Sequence, residues 1–457
     1  MRTISVAFYK LVYFITIFPI LALAGDPAMD AYNGGDIKTA RVLLAKELTD
    51  AKTPDQQWAA SFRNAWLSVE IDLLKDAIEH FNNALSLAIK LKDPAREGKT
   101  LAELGLAYSH MGLYQMASTV LLRAIEIAAP KGNIKIPMVW GQATQELGAI
   151  HLATGNLVEA EKALQQTYSY AQSNGIFPGI SEGGAYLAEV SLLKGNFAKA
   201  EEYAERALRS STTCDCSQHI KSWTQIIMAR VLMEKQKLDP SIKTSLIQNA
   251  IEDAMKNARK YHNKRSVAEA KVLQSRLLPV DKSTEKIALL KESFAILQKM
   301  NSELRGAAEA ELGRAYARDN DHKLAEFYLL NGIKVTKELF RSIDYAHVIG
   351  DLGELEGLKG FHRKELAAFS QKADLLEKSK ASQPLYETQK AIITRLREKG
   401  YHRMALQWID KALKNLESMQ DVEDDTKVRE TRSAELLQLQ EWQSESALRT
   451  TGQTDSD

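Results

Sequence analysis

The sequence is short of the residues that staple small folds or punctuate β architectures. Cysteine occurs twice in 457 residues and proline ten times, and aromatic residues make up 7%. So few thiols exclude a disulfide scaffold, and a chain of this length can bury enough apolar surface without one. Charge of one sign is lacking as well: 60 Lys and Arg stand against 59 Asp and Glu, for a formal net charge of +1. That balance excludes a chain-wide polyanion binder, which needs a basic excess gathered on one face. A 45% hydrophobic content excludes general disorder. What remains abundant is Ala, Leu, Glu and Lys, a helix-forming composition.

Long apolar runs are missing too, save one. Arg2 and Lys10 precede an uncharged stretch from Leu11 to Ala24 that ends Ala22-Leu23-Ala24. A positive start, an apolar middle and small residues three and one before a cut site form a signal peptide pattern. Fourteen residues span only about 21 Å as helix, short of a bilayer core, and Pro19 disfavours one straight rod. The pattern predicts cleavage after Ala24, with no membrane span in the mature chain from Gly25 onward. The expectation is an exported protein, periplasmic or secreted. The sequence contains no Asn-x-Ser/Thr acceptor, which favours a bacterial periplasm.

Catalytic signatures are absent. Gly98-Lys99-Thr100 resembles the end of a phosphate loop, but the glycine required five positions earlier is Asp93. There is no G-x-S-x-G and no H-E-x-x-H, and the nine histidines are scattered. Cys214 and Cys216, with His219 nearby, form a C-x-C-x2-H arrangement that lacks a fourth zinc ligand, and a disulfide across one residue would be strained. The segment reads as a polar loop. The basic run from Lys256 to Arg265 reads as an exposed helix end. These readings predict no enzyme activity, no cofactor, no metal and no nucleic-acid partner.

A repeat of about forty residues organises the rest. Residues 101–128 carry Leu104, Gly105, Tyr108, Gly112, Ala117, Leu121 and Ala124 at a spacing that returns elsewhere. It recurs as Leu147, Gly148, Gly155, Ala160 and Leu164; as Leu187, Ala188, Gly195 and Ala200; as Leu312, Gly313, Tyr316, Asn320, Ala325 and Leu329; as Leu352, Gly353 and Gly360; and as Gly400, Ala405 and Ile409. The small second-helix position falls at Ala77, Ala117, Ala160 and Ala200, with gaps of 40, 43 and 40 residues, and again at 325, 365 and 405, where position 365 is Glu. Gly105, Gly148, Gly313 and Gly353 mark close helix contact. Gly112, Gly155, Gly195, Gly360 and Gly400 mark left-handed helix ends. Tyr108 and Tyr316 are expected to fill the space between neighbouring hairpins.

This frame resembles the tetratricopeptide repeat, in the longer-period form found in kinesin light chain and bacterial MalT-type activators. The resemblance implies an all-α fold, an α-solenoid with a right-handed superhelix of stacked antiparallel helix pairs. With the N-terminal pattern and the end of the repeat near residue 418, the chain divides into a signal peptide at 1–24, an N-terminal cap or worn repeat at 25–56, about nine hairpins at 57–418 with degenerate copies at 219–300, and an acidic linker, a possible capping helix and a disordered tail at 419–457. Leu436, Leu439 and Trp442 share one side of that last helix. Repeats that clamp a chaperone's C-terminal carboxylate carry Asn just before the Leu-Gly pair. Glu103, Glu146, Glu311 and Asp351 stand there instead, and an acidic group cannot grip a carboxylate.

Groove-facing positions, taken two before and two after the core leucine, are Ala102, Leu106, Gln145, Ala149, Glu189, Arg314 and Glu354, with Ala185, Ala310 and Gly350 in the same frame. The resulting expectation is an exported, non-enzymatic scaffold that binds a protein or peptide partner in its concave groove. The alternative is a sensory or regulatory component of an envelope signalling system.

Overall fold

A computed structural model describes residues 26–213 and 217–452. The predicted signal segment 1–24, the thiols Cys214 and Cys216 and the end of the tail lie outside the described residues. Among these, no residue is in a strand, and no helix is long and apolar enough to cross a membrane. The helices are α1 (Pro27–Gly34), α2 (Ile37–Asp50), α3 (Pro54–Glu70), α4 (Leu74–Leu91), α5 (Pro94–His110), α6 (Tyr114–Ala128), α7 (Pro137–Ala153), α8 (Leu157–Asn174), α9 (Phe177–Lys194), α10 (Phe197–Thr213) and α11 (Gln218–Gln236). They continue as α12 (Thr244–Lys260), α13 (Lys264–Leu277), α14 (Ser283–Met300), α15 (Arg305–Arg318), α16 (His322–Glu338), α17 (Ser342–Leu358), α18 (His362–Ser379), α19 (Ser382–Glu398), α20 (His402–Gln420) and α21 (Thr426–Gly452). Each odd-numbered helix up to α19 pairs with the one that follows it, and α21 closes the stack.

Local chemistry sets these boundaries. Asp93 accepts from the backbone N–H groups of Ala95 and Arg96 to start α5, and Thr53 with Gln56 forms a reciprocal capping box on α3. Proline opens α3, α5 and α7, where its missing N–H costs nothing. Gly112, Gly155, Gly195, Gly360 and Gly400 all take positive φ, from 74° to 88°, where the chain reverses inside a hairpin, and Asn320 fills the same place at 62°.

The two helices of a pair are buried differently. A second helix such as α4 hides one stripe, Leu74, Ala77, Phe81, Ala84 and Ala88, at helical spacing. A first helix such as α7 is buried on most sides, because it packs on its own partner, on the preceding second helix and on the next first helix. Close approach needs the glycines: a Cβ on Gly105 or Gly313 would lie 2.5 Å from Leu121 or Leu329 of the partner helix. Where Glu365 replaces the small residue, its side chain lies over Gly357 and pairs with Arg395 of α19. Tyr316 lies between hairpins as expected, with Lys291 of α14 over its ring at 5.6 Å, and also stacks on Tyr328 of its own hairpin, centroids 5.6 Å apart.

The spiral is wound tightly enough for successive turns to touch. Tyr261 donates to the Asn33 carbonyl, the Arg265 N–H to Asp72, Arg341 to the Tyr114 hydroxyl and Asn196 to the Val422 carbonyl, across 228, 193, 227 and 226 residues. The turn inside the second hairpin thus rests on the start of the seventh.

The C-terminal stretch read as a linker is built into this closure. Glu423 accepts from the N–H groups of Phe197 and Ala198 at the start of α10, and Asp425 pairs with Lys235 at 2.6 Å. Arg432 of α21 is 1% exposed and donates to the Gly195 and Met419 carbonyls. Leu439, with Leu436 and Trp442 beside it, covers Ile409, Leu416 and the end of α20, and the helix runs on into Gly452.

Candidate functional site

First helices contact one another around the inside of the spiral, so their free sides face its axis. Groups three hairpins apart sense each other there: Glu182 on α9 feels Glu70 on α3, and Glu146 on α7 feels Arg265 on α13. The inner face divides into two regions of different charge chemistry.

The first region spans α3 to α9. Glu70, Glu103, Glu146 and Glu182 turn toward a common space with little positive charge to balance them. Burial pushes Glu70 up to about 7, against hydrogen bonds from Tyr32, Ser217 and the His219 backbone. Burial, with Glu103 close by, pushes Glu182 to about 7 as well, and Gln145 donates to it at 2.5 Å. Glu103 is raised by burial and only partly relieved by Gln142 and Lys99. Glu146 is raised well above the usual carboxylate range, by burial and then by Glu182 and Glu103; it is 3% exposed and its Oε2 has no hydrogen-bond partner among the described residues. Beside it Tyr186 meets Trp223 of α11, ring centroids 4.6 Å apart. His110 and His219 lie at one end, 5.8 Å apart, both held below the usual histidine range by burial and by Arg265.

The second region spans α9 to α17 and is rich in ion pairs. Arg230 bridges Glu189 and Glu269, the latter at 3.2 Å, and Arg265 pairs with Glu303 and with Glu269 at 3.5 Å. Arg276 and Arg314 share Glu311, and Arg314 reaches Asp351 at 3.2 Å. Although burial opposes it, this double pairing brings Glu311 down to about 2. Asp351 is pushed up to about 6 by burial, with Arg314 and Lys372 opposing. No group of three or more His, Cys, Asp or Glu among the described residues is placed to hold a metal ion.

The expected groove residues divide between these surroundings. Leu106 is half-buried on the inner side of α5, and Ala149 is almost wholly covered. Glu189 and Arg314 belong to the paired region, and Glu354 is exposed on α17. Gln145 is buried and bridges to α9, while Ala102, Ala185 and Ala310 lie inside helix contacts. The position two before the core leucine therefore turns toward the neighbouring helix. The residue directly before that leucine, one step or about 100° round the helix, turns to the axis: Glu103, Glu146, Tyr186, Glu311 and Asp351. Position-by-position reading missed Glu70, Glu182, Arg230, Arg265, Glu269 and Arg276. The signal that marks Glu182 is its place four residues before Tyr186, on the same helical face.

A family model for the tetratricopeptide repeat matches residues 98–130, the hairpin of α5 and α6. Among curated proteins none matches the chain in sequence. By fold it is similar to a Rap protein complexed with Competence and Sporulation Factor, at TM-score 0.59 and 13% identity, over 80% of this chain and 99% of that one. It is also similar to the Rap conjugation gene regulator of plasmid pLS20 in complex with the Phr* peptide, at TM-score 0.50 and 13% identity, over 69% of this chain and 94% of that one. Likeness at that identity speaks to fold. The chain is an all-α stack of helix pairs that carries a tetratricopeptide repeat, matched at residues 98–130.

Proposed function

We propose that this chain is an exported, non-enzymatic interaction scaffold that holds an extended peptide or protein segment inside its spiral. The observation that carries the reading is the inner face: successive first helices present amide, carboxyl and aromatic groups toward one axis. Solenoids hold extended ligands through such repeated contacts. The two similar Rap structures, which hold Competence and Sporulation Factor and the Phr* peptide, support the same use of the fold. Export rests on the charged start and apolar run before Gly25.

One observation favours a regulatory variant of this reading. Arg432 and Glu423 fasten α21 and its approach to the Gly195 turn, so a partner that displaced them would release one superhelical turn from the next.

A photocrosslinking amino acid placed at Leu106, on the inner side, is expected to capture a discrete partner from envelope extract, and one at Leu122, exposed on the outside of α6, is expected not to. Capture from Leu122 alone would refute an inner binding face. N-terminal sequencing of the protein recovered from that fraction should begin near Gly25; residues 11–24 still attached would refute export by cleavage.

A further inference from the structure

We propose that the space between Glu103, Glu146 and Glu182, beside Tyr186 and the Trp223 ring it packs on, is a receptor for an organic cation, an ammonium or guanidinium group. The primary source is a Lys or Arg side chain on the segment the spiral holds, and the inference to that extent rests on the function proposed above.

Four observations converge. The carboxyls come from three consecutive first helices, so the chamber is formed by stacking and not by a local acidic run. Glu146 Oε2, on a residue 3% exposed, has no hydrogen-bond partner among the described residues, and a buried acceptor left unpaired is costly unless a donor reaches it. Balancing charge is scarce: Arg265, the guanidinium that Glu146 senses, is engaged with Glu303 and Glu269. Lys99 lies over the Phe62 ring at 4.8 Å and offsets only part of what burial does to Glu103. The aromatic pair supplies the fourth. Tyr186 lies within electrostatic reach of Glu146 and Glu182 and packs on Trp223, and carboxyls beside an aromatic pair suit an ammonium or guanidinium, which gains from both.

An arriving cation favours the ionised carboxyls. Because burial holds Glu146 and Glu182 protonated toward neutral pH, binding must expel protons. Affinity should rise with pH, and calorimetry in buffers of different ionisation heat should register proton release at pH 7.

The test uses the full chain, the double variant Glu146→Gln with Glu182→Gln, and Glu159→Gln on the exposed face of α8 as control. Glutamine keeps the shape and removes the charge, and circular dichroism with thermal unfolding verifies that the spiral persists. Two probes separate the sources: agmatine for a free amine, and a randomised dodecapeptide display library for a peptide side chain. The expected result is library enrichment in Lys or Arg, lost in the double variant and kept in Glu159→Gln, with agmatine binding at least tenfold weaker in the double variant. Peptides bound without basic enrichment, or equally by the double variant, would overturn the cation receptor and leave the peptide-holding reading standing. Agmatine bound by the chamber with no peptide selected would keep the receptor and overturn that reading. Neither probe distinguishing the double variant, or Mg2+ binding tighter than agmatine, would overturn the receptor outright.

Discussion

Glu146 and Glu311 occupy the same place in the repeat, one residue before a Leu-Gly pair on a first helix, and finish in opposite electrostatic states. Three residues beyond Glu311 stands Arg314, and Arg276 reaches it from the preceding first helix, so the carboxylate is doubly paired and held down to about 2. Three residues beyond Glu146 stands Ala149, and the neighbouring first helices offer Glu103 and Glu182, so burial drives it the other way. A position in a repeat fixes where a side chain points. Its charge state is fixed by what the flanking repeats place beside it.

The comparison breaks most visibly if a shared carboxylate is removed. Glu311→Ala removes a buried carboxylate and leaves Arg276 and Arg314, each about a third exposed, facing each other. Discounted for solvent screening, it should cost about 2 kcal/mol, read as a lowered urea midpoint with unchanged slope. A loss under about 0.5 kcal/mol would show that the paired region carries no compensation. Next in size are Gly105→Ala and Gly313→Ala, one in each half. Each forces a Cβ to within 2.5 Å of a leucine and should cost about 1–3 kcal/mol, by a similar amount in the two halves. Similar costs would show that the halves differ in charge and not in packing; a twofold disparity would contradict that.

Glu146→Gln should act in the opposite sense to Glu311→Ala. At pH 8 it removes a carboxyl whose ionised form burial disfavours, and stability should rise by about 1 kcal/mol, the gain vanishing below the ordinary carboxylate range, where the unfolded group is protonated too. The smallest effect is the pH slope of the parent chain. Raised carboxyls bind protons more tightly folded than unfolded, so the contribution of Glu70 and Glu182 is complete below the ordinary carboxylate range and is lost as pH rises through about 7. His219, held down to about 4, works in reverse: its contribution is present above the ordinary histidine range and is lost as pH falls through about 4. The melting temperature should therefore decline between pH 6 and 8 in the parent and decline less in the double variant Glu70→Gln with Glu182→Gln. Equal slopes would separate these carboxyls from the titration.

Much of the fold was legible because packing repeats. Gly105 against Leu121, the left-handed glycines at the hairpin turns, and Leu439 with Trp442 over the last pair follow from side-chain size and spacing alone. The inner face was legible only in part. Glu103, Glu146, Glu311 and Asp351 stood out because they depart from a known carboxylate clamp, yet the groove frame pointed one residue aside, to Ala102 and Gln145, which lie in helix contacts. Arg230, Arg265 and Arg276 could not be placed from their own segments. Their helices belong to the degenerate copies, where the frame gives no register, and their partners come from hairpins up to 41 residues distant. The Arg432 contact with Gly195, across 237 residues, depends on the winding of the whole spiral.

The contrast between the two regions is tested most directly by carboxyl-carbon NMR titration of the protein selectively labelled at glutamate, with Glu146→Gln and Glu311→Gln used to assign the two resonances. The account predicts that Glu311 titrates near 2 and that Glu146 titrates above the ordinary carboxylate range. Two curves that coincide in that ordinary range would contradict it.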